Sequence, residues 1–161
     1  MWIYPYKTLP YEHQRNALKE SAEKKNWAYF MEMGTGKTKV TIDNIAFLFL
    51  QRKIDSCLII APKSVYLNWQ SEIETHMPDV IKYRIYKWNI DKPKDYFRLN
   101  EFSHLRIFLI NVEALSTKRG LEGCVDYLTR NKLNFVVVDE STTIKNRQAK
   151  RTKNILALGK I

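Results

Sequence analysis

Met31-Glu32-Met33-Gly34-Thr35-Gly36-Lys37-Thr38 is the stretch on which the fold turns. Gly34 and Gly36 let the backbone turn tightly, so that its N–H groups face an anion. Lys37 can place a point charge on the β- and γ-phosphates of a nucleotide, and Thr38 can offer a hydroxyl to Mg²⁺. The strand-like run Trp27–Met31 precedes the loop, and a helix-like run from Lys37 to Gln51 follows it. The positive end of that helix is aimed at the same phosphates. Strict phosphate-loop spacing asks for one more glycine, at the position held by Met31.

About a hundred residues further on, Val136-Val137-Val138-Asp139-Glu140 reads as a buried strand that ends in two carboxylates. Asp139 can hold Mg²⁺, directly or through water, and Glu140 can polarise an attacking water. A glycine-rich turn before an ordinary helix, and a strand with a solvated acidic cap, would explain each segment separately. Together and in this order they point to a nucleoside-triphosphate-driven motor domain.

Composition bounds the reading. The chain has 161 residues, 45% hydrophobic and 12% aromatic, which argues for one globular core rather than disorder. The longest uninterrupted apolar run, Ile45 to Leu50, is far too short to span a bilayer. Met1-Trp2-Ile3-Tyr4-Pro5 lacks the basic-then-apolar layout of a signal peptide. Cys57 and Cys124 are too few for a disulfide framework or a cysteine metal site and read as reduced core residues. An intracellular protein is the expectation. Residues 1–80 carry 10 basic and 9 acidic side chains, and residues 81–161 carry 17 and 8, so nearly all of the net +10 lies in the second half. That asymmetry suits a polyanion partner, though solubility alone would also explain it.

Periodicity alternates between helix and strand. Helices are expected from Leu9-Pro10-Tyr11 to about Lys25, with Pro10 in the first turn, over Lys37–Gln51, from a Ser64 N-cap to about His76, and over Lys94–Phe102, Leu121–Asn131 and Gln148–Leu158. Strands are expected at Trp27–Met31, Cys57–Ala61, Tyr83–Lys87, Arg106–Val112 and Phe135–Val138. The last is β-branched and continuous, as in a central parallel strand. The pattern implies an α/β sandwich with a mostly parallel sheet and ligands at the carboxyl ends of its strands.

These residues support a family resemblance along nearly the whole chain. Met31 to Thr38 is similar to "DEMGLGKT", which also lacks the first glycine. Leu58-Ile59-Ile60-Ala61-Pro62-Lys63-Ser64-Val65 with Asn68-Trp69 and Glu72 resembles "LIVxPxSxxxNWxxE". Ile110-Asn111-Val112-Glu113-Ala114-Leu115 resembles "ITTYEAL". The chain thus resembles the first RecA-like lobe of superfamily-2 helicases and translocases, and within them the Swi/Snf-type, chromatin-remodeller-like DNA translocases. The fold implied is a RecA-like P-loop lobe over residues 1–161.

The resemblance implies ATP and Mg²⁺ as cofactors. Gln14, in Leu9-Pro10-Tyr11-Glu12-His13-Gln14, takes the place of a glutamine that recognises adenine. Met33, Gly34, Thr35, Gly36, Lys37 and Thr38 surround the phosphates, Thr38 and Asp139 serve the metal, and Lys37 and Glu140 serve catalysis. Lys63, Ser64, Asn111 and Lys145 are the implied nucleic-acid contacts, on duplex DNA. In Asp139-Glu140-Ser141-Thr142, Thr142 stands where the family has a histidine, which puts coupling in doubt more than hydrolysis. The chain ends before the family's "TGTP" segment, and no second lobe follows. A fragment or half-motor is therefore expected, weak and slow alone, with a gap in its sheet open to another strand or to self-association. A non-catalytic module that binds nucleic acid or a partner on the same fold is the alternative.

Overall fold

The computed structural model describes residues 4–91, 103–140, 146 and 148–161. The helix expected over Lys94–Phe102, and Ser141 to Lys145 with Arg147, lie outside the described residues. Among the described residues five α-helices are formed: α1 (Glu12–Ser21), α2 (Lys37–Leu50), α3 (Lys63–His76), α4 (Lys118–Arg130) and α5 (Lys150–Leu158). Four strands accompany them: β1 (Ser56–Ala61), β2 (Tyr83–Lys87), β3 (Leu105–Asn111) and β4 (Asn134–Val138). The chain divides into two compact units, Met1–Lys53 with Asn68–Ile81, and Ile54–Leu67 with Lys82–Ile161.

The first unit holds α1, α2 and most of α3. From Lys39 to Leu48 every residue of α2 is buried, polar ones included. A helix covered on all sides needs its polar groups paired. Lys39 Nζ lies 2.7 Å from Asp43 Oδ2, and Tyr4 donates its hydroxyl to Asp43 Oδ1 at 3.2 Å. Burial raises the Asp43 carboxyl pKa, and the contacts from Lys39 oppose that rise. Lys7 donates to Glu74 O at 2.9 Å, and Thr8 Oγ1 lies 2.6 Å from His76 Nδ1, so the N-terminal segment is tied to the end of α3.

Helix starts differ from expectation in detail. Pro10 stands outside α1, and Tyr11, with extended backbone, is its N-cap. The helix stops at Ser21, whose hydroxyl lies 2.7 Å from that of Tyr29. Ser64 does not cap α3, because the helix already begins at Lys63. Lys118 opens α4 after Thr117, which accepts from Gly120 N–H at 3.0 Å. α5 starts at Lys150 rather than Gln148.

The second unit carries a parallel sheet in the order β2-β3-β1-β4. Register pairs Ala61 with Asn111, Ile60 with Val138, and Lys87 with Leu109, so the carboxyl ends of the strands finish together. β1 is buried at every residue, as a strand covered on both faces must be. Leu58, Ile60, Phe108, Ile110, Tyr127 and Ile155 belong to one apolar cluster beneath α4 and α5. The Tyr127 hydroxyl donates to Arg106 O at 3.0 Å, which satisfies it inside that core.

Two strand expectations are corrected. β4, expected to be central, is the edge of the sheet, and all five of its residues are only half-buried. Trp27–Met31 joins no strand. Trp27 and Ala28 are both exposed, and Phe30, 97% exposed, lies between half-buried Tyr29 and Met31. Only Tyr29 to Met31 keep a strand's alternation, and among the described residues the segment pairs with no strand.

Candidate nucleotide and strand-end sites

The glycine-rich loop lies in the first unit. Gly34 and Gly36 have φ of 77° and 83°, and Gly36 is the N-cap of α2. A side chain at Gly36 would be strained by φ and would also place its Cβ 2.3 Å from Gln14 Nε2. Lys37 bends back over the loop and donates to Met31 O at 2.9 Å and Glu32 O at 2.8 Å. Thr35 donates its hydroxyl to Glu32 O at 2.7 Å. Met33 is 96% exposed at the loop tip. Thr38 is half-buried in the first turn of α2, where N–H groups are unpaired within the helix.

Gln14 is brought onto this loop. Its Nε2 donates to Thr35 O at 3.0 Å, and its Oε1 accepts from Tyr11 N–H at 3.0 Å. His13 reaches the same Thr35 carbonyl through Nε2 at 3.0 Å. The residue singled out for adenine therefore also braces the phosphate loop, a role its place in the sequence does not reveal.

Asp139 and Glu140 follow β4 in the second unit. Asp139 N–H donates to Ile60 O at 2.8 Å, extending the β1–β4 ladder by one bond. Asp139 Oδ1 accepts from Glu140 N–H at 2.9 Å, and Glu140 has φ of 49°. This left-handed turn leaves Glu140 exposed just beyond the sheet. Among the described residues no three His, Cys, Asp or Glu side chains gather to hold a metal. A threonine hydroxyl and an aspartate carboxylate are each hard oxygen donors of the kind that fits Mg²⁺.

Past the carboxyl ends of β1, β2 and β3 lies a cleft of about 690 Å³. Its walls include Lys63, Tyr66, Lys87, Trp88, Asn111 and Glu113. Asn111 is the N-cap of the 3-10 turn Val112–Ser116, its Oδ1 accepting from Ala114 N–H at 2.8 Å. Its amide oxygen is thus engaged in shaping the cleft. Ser64 is exposed beside Lys63 at the start of α3. Lys145 falls outside the described residues. Lys87 and Trp88 were not singled out by sequence, because a lysine and a tryptophan at a strand end carry no motif.

Comparison with known proteins accords with this geometry. Residues 13–161 match the SNF2-related domain, and the chain belongs to that family. It is 30% identical over 125 residues to "Chromatin structure-remodeling complex subunit snf21" of Schizosaccharomyces pombe, covering 77% of this chain and 10% of that protein. It is 31% identical over 138 residues to "Chromatin-remodeling ATPase INO80" of Aspergillus clavatus, covering 78% and 7%. An "Uncharacterized ATP-dependent helicase" of Mycoplasma pneumoniae matches at 31% over 123 residues, covering 76% and 11%. The chain thus spans about a tenth of the curated relatives it matches. The Sulfolobus solfataricus SWI2/SNF2 ATPase core, solved in complex with dsDNA, superimposes with a TM-score of 0.69 at 20% identity, over 96% of this chain and 31% of that one. The fold is accordingly that of a RecA-like lobe.

Proposed function

We propose that this chain is the ATP-binding lobe of a DNA-dependent motor that couples hydrolysis to movement on duplex DNA. A second RecA-like lobe, in cis or in trans, completes it. The observation that carries the reading is the loop ahead of α2: two glycines with positive φ, a lysine folded over the turn, and a helix N-terminus behind it.

In this reading the backbone N–H groups of Gly34 to Thr38 face the phosphates, and Lys37 leaves the Met31 and Glu32 carbonyls for the β- and γ-oxygens. Gln14 offers its amide to the adenine edge, which requires it to release Thr35 O or Tyr11 N–H. Thr38 and Asp139 are the residues that would hold Mg²⁺, which neutralises charge on the phosphates when bound. Glu140 orients the attacking water. Lys63, Ser64, Asn111 and Lys145 hold nucleic acid, with little dependence on sequence and a steep dependence on salt. Without the second lobe nothing supplies an arginine to the transition state, so the lobe alone turns over slowly.

Calorimetry of Mg²⁺-ATP against the wild-type chain and Lys37→Ala tests the site. Binding that is lost in the variant is expected. Equal binding in both would place the nucleotide elsewhere, and none in either would favour a non-catalytic module on the same fold.

A further inference from the structure

Thr35 O is held from α1 by two donors at once. His13 Nε2 and Gln14 Nε2 each lie 3.0 Å from it, and since a carbonyl only accepts, both nitrogens carry the hydrogen. The His13 ring is itself fixed, stacked on Tyr11 with centroids 5.8 Å apart and planes 11° from parallel. Glycines stand on both sides of Thr35, with φ of 77° and 83°, and such residues let the intervening peptides turn easily. A trans peptide points its N–H opposite to its C=O. Fixing Thr35 O on α1 therefore aims the Gly36 N–H away from that helix. Gln14 is 5% exposed, and its amide is used at both ends. Its oxygen accepts from Tyr11 N–H, a bond that runs from the first turn of α1 back to the N-cap. Its nitrogen shares Thr35 O with His13. Turning to a base by giving up the first bond would undo the cap of α1. Giving up the second leaves the carbonyl paired through His13.

Resting on the reading of this loop as a nucleotide site, we infer that His13 is a positioning residue, which keeps the Thr35–Gly36 peptide in place while Gln14 Nε2 leaves Thr35 O for the base. With a bare phosphate chain Gln14 stays on the loop, and His13 is a second donor where one suffices. With a nucleotide, His13 is the donor that remains among the described residues, and the Gly36 N–H keeps its direction toward the phosphates. His13 therefore serves ligands that carry a base and is idle toward those that do not.

Calorimetry of the full chain with Mg²⁺-ATP and with Mg²⁺-tripolyphosphate, which has the phosphates and no base, separates the two states. His13→Phe keeps a ring for Tyr11 and removes the N–H. It should weaken ATP binding about two- to tenfold, the usual net contribution of one neutral hydrogen bond. Tripolyphosphate binding should stay unchanged, which also shows that the loop has folded. His13→Gln, which offers an N–H at similar reach, should regain the ATP affinity. Gln14→Ala should weaken ATP binding alone, and the His13→Phe and Gln14→Ala changes combined should weaken tripolyphosphate as well, because neither donor then holds the peptide. Equal losses of both probes in His13→Phe, or no loss of either, overturn the inference and leave the nucleotide reading standing. So does a His13→Gln variant that binds ATP no better than His13→Phe. A wild-type chain that binds neither probe overturns both.

Discussion

His76 sits where three charged side chains meet. Its Nε2 lies 3.3 Å from Glu72, its Nδ1 faces the Thr8 hydroxyl, and Lys39 and Asp43 act on it from α2. A neutral ring with its proton on Nε2 satisfies both contacts, donating to Glu72 and accepting from Thr8. Burial, with the Lys39 ammonium beside it, holds the His76 pKa below its usual 6.5. The folded chain therefore binds this proton less readily than the unfolded chain. The stability it contributes is complete above about pH 6.5 and is lost as pH falls through the lowered value. Asp43 runs the other way, since its raised carboxyl pKa favours the fold as pH falls towards the unfolded carboxylate range. Replacing His76 with Gln should flatten the decline in urea midpoint between about pH 7 and pH 5. An unchanged decline would assign it to other groups. None of this was legible in the sequence, because the Thr8 and Lys39 neighbours come from 68 and 37 residues away. The loop glycines, Lys37 and the two carboxylates were legible, because short-range spacing alone defines them.

Helix caps and strand edges decide more at the scale of elements. Thr117 closes the start of α4 with a hydroxyl that accepts from Gly120 N–H and donates to Ala114 O. Thr117→Ala should cost about 1 kcal/mol of stability in denaturant titration, and a loss near zero would mean that water replaces both bonds. The sequence placed every described helix to within a few residues and missed this cap, because the apolar period of α4 begins only at Leu121. β4 was misplaced for a more instructive reason. Phe135 to Val138 is apolar enough for a strand paired on both sides, and composition does not say whether both partners are present. Among the described strands its outer edge has no neighbour, and such an edge is a template for an incoming strand. Self-association should therefore rise with concentration in sedimentation velocity and fall when Val136, whose N–H faces away from β1 because Asp139 N–H bonds to Ile60 O, is replaced by Pro. A chain that stays monomeric at high concentration would show the edge to be covered.

At the scale of the molecule, charge and the proposed second lobe act together. The excess of cations lies in the second half of the chain, which supplies most of the walls of the strand-end cleft. Joining this lobe to a second RecA-like lobe should raise ATP turnover and make duplex DNA stimulate it, measured as phosphate release. Stimulation by RNA in place of DNA would reassign the polymer, and none by either would detach hydrolysis from nucleic acid. The α/β alternation, the parallel sheet and the position of Asp139 and Glu140 at a strand end were legible, since each follows from periodicity and connection rules, whereas the glycine-rich loop follows a segment that joins no strand. The strand order was not, because it depends on which partners each edge finds.

Lys37 gives the loop a further property. Its ammonium already satisfies two carbonyls of the turn that it closes, so on the proposed reading a phosphate must draw it away from them. Nucleotide affinity is then a difference between two sets of bonds rather than the sum of one. An anion with a single phosphoryl group has little to offer in that exchange, whereas a triphosphate bonded along the whole turn can outbid the carbonyls. On the proposed reading, selectivity for longer phosphate chains follows from the bonds that Lys37 makes before nucleotide arrives.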